Sequence, residues 1–391
     1  MQNRSFEAKE GFTFYYSILG GNQAHLTVSV SNQHENSSEL AARVYDTLLD
    51  FLQEHHFYII HERIFASLEF RQTIPLARQD AFSNHQIHSE QPFTFIEGNP
   101  VYGKGLAGVQ IRAFRPEGPH EAIWMIQEDG TPVGRGWKRE GATHVMLQNV
   151  YGDAEIQDRY AQSCDMFDRS QAILKQANMD FRNVVRTWIY LDHILDWYDQ
   201  FNRARNKRFT EFGLLGLSEK ENTEAEQIYL PASTGILGKN PHKAAGTMDV
   251  WAVAPDHEHV KISQTSGVEQ KSPYRYGSAF SRAITLREQD ITHILLSGTA
   301  SINEHGKSVH LNNPPEQMRK TFNVVQSLIQ WEGASLKDIQ EATVFFKCAE
   351  DAKYYEDIAR EFGIPNLPAI FVVADVCRDD LLFEIDAAIA F

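Results

Sequence analysis

Residues 372–391 read VVADVCRDDLLFEIDAAIAF, two apolar runs around a polar centre. Successive residues of a strand point to opposite faces, so Leu382, Glu384 and Asp386 share one face and Phe383 and Ile385 the other. A glutamate in an apolar strand is costly to ionise without a partner. Its pKa rises, which suits a general acid working near neutral pH. The competing reading is an edge strand, with Glu384 in water or in a salt bridge to its sheet. With Cys377 and Arg378 just upstream, the segment reads as one wall of a small-molecule active site. Alternation assigns Arg378 to the face of Val372, Ala374 and Val376, where it serves structure as easily as substrate.

An acidic substrate also needs cations. The densest basic stretch holds Arg203, Arg205, Lys207 and Arg208. At helical spacing Arg205 and Arg208 share a face, with Phe201 and Phe209 looser neighbours of Arg205. The stretch either grips a carboxylate bidentately or is a solvated face paired with Asp199 or Glu211. Ser233 and Thr234 in PASTGI, and Ser297, Thr299 and Ser301 in SGTAS, set small hydroxyls beside glycine. Such turns bring hydroxyl and N–H groups to an anion, or simply close strands. No GxSxG elbow accompanies them, so a serine hydrolase has no support. GKGLAG, at Gly103, Gly105 and Gly108, matches a dinucleotide fingerprint only in its letters. A strand-like VQIRAF follows where a helix is required, so a plain loop is expected. His85 with His88, and His257 with His259, have spacing for a shared metal but lack an HExxH pattern or a thiolate. Solvated loop histidines are expected, with no metal and no cofactor.

The elements that must hold these residues recur along the chain. Residues 171–191 (QAILKQANMDFRNVVRTWIYL) and 326–346 (QSLIQWEGASLKDIQEATVFF) align without gaps. Each has a helix end, a turn with an apolar residue (Phe181, Leu336) and a basic one (Arg182, Lys337), then a β-branched and aromatic strand. THVMLQNVYG leads into one copy and THILLSGTAS into the other. A second amphipathic helix and two strands follow each. A fainter copy opens the chain: LTVSVSN as strand, ELAARVYDTLLDFLQEHH as helix, IIHERIFASLEF as strand, then GVQIRAF and AIWMIQED as closing strands. This alternation implies an α/β fold with mixed sheets and helices packed on one face of each sheet. Loops or boundaries are expected near residues 114–142, 213–246 and 254–280.

Composition narrows the class. The chain has 391 residues, 42% apolar and 23% charged, which fits a soluble globular protein of two or three domains. A net charge of −15 repels nucleic-acid phosphates and anionic membranes, so neither is an expected partner. Cys164, Cys348 and Cys377 are odd in number and have no CxxC spacing, so no disulfide framework or thiolate zinc site is expected. No leader-like or membrane-spanning run is present, and the default location is cytoplasmic.

The motifs VRTWIYLDHILDWYDQFNRARNKRF, LPASTGI, SAFSRA, LLSGTASI and ADVCRDDLLFEIDAA, spread in this order over residues 136–391, resemble the RidA/YjgF superfamily. They are more closely similar to the chorismatases, chorismate hydrolases of secondary metabolism built from RidA-like units. The resemblance implies three units arranged as a pseudo-trimer. A divergent unit spans 1–130, a second 131–260, and a third 261–391 carries the catalytic glutamate. It implies a monomer that binds a small dicarboxylate such as chorismate. The family's proton donor falls on Glu384, which protonates the methylene carbon of the enolpyruvyl ether and leads to pyruvate and a hydroxybenzoate. Cys377 is similar to the branch that makes 3-hydroxybenzoate. Arg203, Arg205, Arg208, Arg282 and Arg360, with Ser233 and Thr234, are the candidates for holding substrate. RidA imine deaminases carry an arginine directly after the PA of the penultimate strand. Here Ile370 and Ser233 stand there, which weakens the alternative of an imine deaminase. A non-catalytic RidA-like scaffold that binds a metabolite is the other alternative, expected if Glu384 lies in open solvent with no arginine within reach.

Overall fold

The computed structural model describes residues 3–31, 37–118, 120–139, 141–215, 229–265 and 279–391. They form three sheets of one design. The first has β1 (Asn3–Lys9), β2 (Phe12–Leu19), β3 (Gln23–Val30), β4 (Tyr58–Ala66), β5 (Thr94–Glu97) and β7 (Leu106–Phe114), in the order β1-β2-β3-β7-β4-β5. The second has β8 (Ala122–Glu128), β9 (Thr131–Arg139), β10 (Ala142–Tyr151), β11 (Val184–Leu191), β12 (Ala232–Leu237) and β13 (Gly246–Pro255), in the order β8-β9-β10-β13-β11-β12. The third has β14 (Lys261–Thr265), β15 (Ala283–Arg287), β16 (Thr292–Leu296), β18 (Ile339–Phe346), β19 (Ala369–Val373) and β20 (Phe383–Ala390), in the order β14-β15-β16-β20-β18-β19. The short β17 (Thr299–Ala300) pairs with β20, and β6 (Asn99–Pro100) crosses over to extend the third sheet beyond β19. In each sheet the last pair of the order (β4–β5, β11–β12, β18–β19) is parallel.

Two helices cover one face of each sheet: α1 (Ser37–Glu54) and α2 (Thr73–Asn84), α3 (Arg159–Gln176) and α4 (Ile194–Glu211), α5 (Pro314–Gln330) and α6 (Tyr355–Glu361). Local chemistry explains their starts. Asp158 caps α3 by accepting from the Tyr160 N–H, and Asn313 caps α5 ahead of Pro314 and Pro315. The turns into β11 and β18 each carry a capping box, closed by Asp180 and Ser335, and each buries its apolar residue, Phe181 or Leu336. Three apolar cores fill the sheet–helix layers, around Val44 and Val109, Phe167 and Phe201, and Phe322 and Ile385. A fourth lies where the uncovered faces of all three sheets meet and includes Phe65, Trp137, Trp188, Trp251, Phe345 and Val372. Helices outside and sheets inside make the chain a pseudo-trimer.

The pseudo-symmetry extends to single residues. A bulge breaks the register between Ile59 and His61 in β4, Val184 and Arg186 in β11, and Ile339 and Glu341 in β18. Counting on from these bulges, the returning strands place Gln110, Asp249 and Asp386 in equivalent positions, and likewise Gly108, Thr247 and Glu384. Each sheet uses the first set to grip its neighbour. Asp249 bonds His61 at 2.9 Å, Asp386 bonds Arg186 at 2.9 Å, and the Gln110 amide donates to the Ala342 carbonyl at 2.7 Å.

Three expectations change. AIWMIQED is not a closing strand of the first unit. It forms β8, the edge of the second sheet, and the β8–β9 hairpin crosses residue 130 through Asp129 and Gly130, both at positive φ. The stretch 114–142 therefore holds a hairpin as well as loops. Residues 372–391 are the end of β19, a non-strand connection over 374–382 that bends and turns at 377–380, and β20; Arg378 is thereby out of the alternation, and its guanidinium donates to the Gly306 carbonyl at 2.7 Å. Of the other two loop candidates, residues 216–228 and 266–278 lie outside the described residues.

Candidate active site

Glu384 stands in β20 on the face turned away from α5 and α6. Its neighbours Phe383, Ile385 and Ala387 pack into the helix-side core. Its carboxyl meets the second unit with only 4% of the residue exposed. Among the described residues no group donates a hydrogen bond to this carboxyl or forms an ion pair with it. Burial first, and then the charge of Asp386, pushes its pKa up to about 8, against the pull of Arg282 and Arg186. A carboxyl in that condition carries its proton at neutral pH and gives it up readily.

The space for it is made by Gly298, in the turn between β16 and β17. A Cβ built there would overlap Glu384 Oε1 and lie 3.0 Å from its Cδ and 3.3 Å from Thr234 Cγ2. Thr234 projects from β12 of the second sheet, and its Oγ1 accepts from the Arg186 guanidinium at 2.6 Å. Arg186 also donates to the Thr187 carbonyl at 3.0 Å and pairs with Asp386; burial pulls its pKa down to about 10. Ser233 ties the two units together. Its hydroxyl accepts from Thr187 at 2.8 Å, its N–H donates to the Ser297 hydroxyl at 2.7 Å, and its carbonyl accepts from the Gly298 N–H at 3.3 Å.

On the other side of Glu384 lies half-buried Cys377, whose thiol burial raises to about 12 with help from the Glu384 charge. Such a thiol stays neutral and is a poor nucleophile. Tyr198 of α4 is within electrostatic reach of both Cys377 and Glu384, and burial raises its phenol pKa. Arg205, about two turns further along α4 and on the same face, is buried. It donates to Asn202 Oδ1 at 2.6 Å and lies 5.5 Å from the Phe280 ring centre. Arg282 is buried too, 5.7 Å from the same ring. Two buried guanidiniums thus flank Phe280 beside a buried acid and a neutral thiol, in the seam between the second and third units.

Three expected arginines are not brought to this seam. Arg203 is on the exposed side of α4. Arg208 is three residues from Arg205, enough rotation to turn it to α3, where it bonds Asp168 at 2.6 Å and also pairs with Glu211. Arg360 is on the outer face of α6, paired with Asp357 at 2.6 Å and Glu356 at 3.0 Å. The residues missed by sequence reasoning are Arg186, Tyr198, Phe280 and Gly298. Arg186 carried a signal, a lone cation inside the β-branched run VVRTWIYL, where a buried charge needs a partner.

The remaining motifs lie elsewhere. GKGLAG is a loop through Gly105 followed by β7. His85 pairs with Asp46 at the end of α2, and the His257 and His259 rings contact each other on an exposed turn. Among the described residues no three His, Cys, Asp or Glu side chains are grouped to hold a metal, and no helix is long and apolar enough to cross a membrane. A wide cleft of about 1230 Å³ opens between the first and second units, lined by Phe93, Asn149, Tyr151, Arg169 and His242, and does not include Glu384.

No protein-family model matches the chain. A 3-hydroxybenzoate synthase of Streptomyces hygroscopicus is 24% identical over 233 residues, a match spanning 54% of this chain and 64% of that protein's length. A crystal structure of a chorismatase superposes with a TM-score of 0.58 at 16% identity, covering 85% of this chain and 92% of its own. A Rid-family protein of unknown function from Yersinia pestis matches 34% of this chain and 100% of its own at 20% identity, with a TM-score of 0.28. The expected resemblance holds at the level of architecture: the chain has the fold of a chorismatase.

Proposed function

We propose that the protein is an enzyme that cleaves the enolpyruvyl ether of chorismate, with Glu384 as its proton donor. The observation that carries this reading is a buried glutamate, protonated at neutral pH, in a seam with two buried arginines. Glu384 delivers its proton to the terminal methylene carbon of the ether. The adjacent carbon becomes an oxocarbenium-like centre, and water adds to it to give a hemiketal. The hemiketal collapses: its bond to the ring oxygen breaks, the added oxygen becomes the carbonyl of the departing pyruvate, the ring oxygen leaves as a hydroxyl and a proton returns to Glu384. Loss of one water from the ring then gives the aromatic hydroxybenzoate. Arg205 and Arg282 are the groups suited to the two substrate carboxylates, because each is buried and each hydrogen bond to a charged group gains strength away from water.

The favoured ring product is 3-hydroxybenzoate. Together with pyruvate it contains the atoms of chorismate, whereas a dihydroxy-cyclohexadiene carboxylate retains one water more. The neutral thiol of Cys377 acts as a wall of the ring pocket rather than as a nucleophile, and its size is what would select between these outcomes. All three sheets are supplied by one chain, so the unit proposed to act is a monomer.

The test is incubation with chorismate, with pyruvate measured enzymatically and the aromatic product by chromatography. Pyruvate formation should fall by about 10²–10⁴-fold in Glu384→Gln, the range for one positioned acid. Equal pyruvate from the two proteins, or none from either, rules the proposal out.

A further inference from the structure

Glu384 and Asp386 are two buried carboxyls on one face of one strand, and they have unequal partners. Asp386 holds Arg186 at 2.9 Å, and Arg186 is further committed to Thr234 and the Thr187 carbonyl. The Glu384 carboxyl has none of this. The other titratable groups turned towards it are Arg282, before β15, and Cys377 and Tyr198, which stay neutral. Asp386 has a cation bonded to it and Glu384 has none, so a charge on Glu384 is opposed by burial and by the neighbouring carboxylate, with Arg282 and Arg186 pulling the other way.

We propose that Asp386, held by Arg186, is a positioning residue for Glu384: its carboxylate on the same strand face, added to burial, disfavours a charge on the Glu384 carboxyl. This deepens the reading of Glu384 as an acid and assigns the Arg186–Asp386 bridge a second task besides joining the two units. Asp249 with His61 occupies the equivalent place between the first and second units, and there the strand carries Thr247 where the third carries Glu384. The bridge at that seam has no acid to act on.

The test reads the proton directly. Carbon-13 resonances of labelled glutamate side chains are followed through a pH titration, and the Glu384 signal is assigned by its loss in Glu384→Gln. In the wild type it should titrate near pH 8. In Asp386→Asn the negative neighbour is gone, the ionised form is favoured, and the midpoint should fall by about one pH unit, a tenfold change in proton affinity. That variant leaves Arg186 buried without its partner and is at risk of unfolding. The double variant Arg186→Met/Asp386→Asn removes both charges and should fold. Its midpoint should also lie below that of the wild type, because the carboxylate is the stronger of the two influences. A midpoint at or above the wild-type value in the folded variants overturns the proposal. If chorismate cleavage is seen, its alkaline limb should move with the midpoint. If it is absent even from the wild type, the functional reading fails and the titration still decides this one.

Discussion

The second–third seam and the third–first seam use one backbone design to opposite ends. At the first of them the returning strand carries Glu384, and Gly298 leaves room for its carboxyl beside Thr234. At the other, the equivalent residue is Gly108, where a Cβ would overlap the Val28 carbonyl oxygen and lie 2.8 Å from Ile370 Cγ1. Ile370 occupies in β19 the place that Thr234 occupies in β12. One seam sets polar side chains around a buried acid and the other is apolar packing. The fold supplies three similar positions, and local packing decides which has room for an acidic side chain.

Substitutions at Gly298, Arg282 and Thr247 separate the seams experimentally. The largest effect is expected from Gly298→Ala. Gly298 has no positive φ, so the backbone accepts alanine, but the new methyl lands on the Glu384 carboxyl. A displacement on the order of 1 Å costs about 10²-fold in turnover, with little change in melting temperature. Full activity would mean that the carboxyl works from a different position. Next comes Arg282→Met, expected to lower kcat/KM by about tenfold to a hundredfold, the worth of one hydrogen bond to a charged group. Arg208→Met, which removes the ion pairs with Asp168 and Glu211 away from the seam, should stay within about twofold. Equal effects of the two would remove Arg282 from the site. The smallest effect is expected from Thr247→Glu in the Glu384→Gln background. It places a carboxyl at the first–second seam, where register puts Val133 in the place of Arg282. No pyruvate should return, and recovery would show that the acid alone makes a seam competent.

Much of this was written in local patterns. The gapless match of residues 171–191 with 326–346 exposed two of the units, because a helix end, a capped turn and a buried strand impose the same spacing twice. Alternation alone put Glu384 opposite Phe383 and Ile385, which is where it lies. The bend at Cys377 was not legible, since an apolar–polar–apolar run looks continuous until its backbone pairing is known. The Arg186–Asp386 bridge was out of reach for another reason: its members are separated by 200 positions, and only the packing of two sheets brings them together. Arg360 shows the reverse error. The resemblance counts it among the substrate arginines, although Glu356 and Asp357 stand at the spacing that makes a surface ion pair.

The crossover of β6 onto β19 has a consequence for how the molecule comes into being. Asn99 and Pro100 leave their own sheet and pair with Val373 and Val372 near the far end of the chain. During synthesis the first sheet can collapse early on its helices, but its partner edge emerges only after two further units have been made. Such long-range pairing is slow to nucleate, and until it forms the early strands display unpaired edges. The polypeptide that closes this circle also contains Cys377 and Glu384. The acid is therefore buried in the same late step that locks the three units together, and a nascent chain stalled before it would be structured but chemically idle.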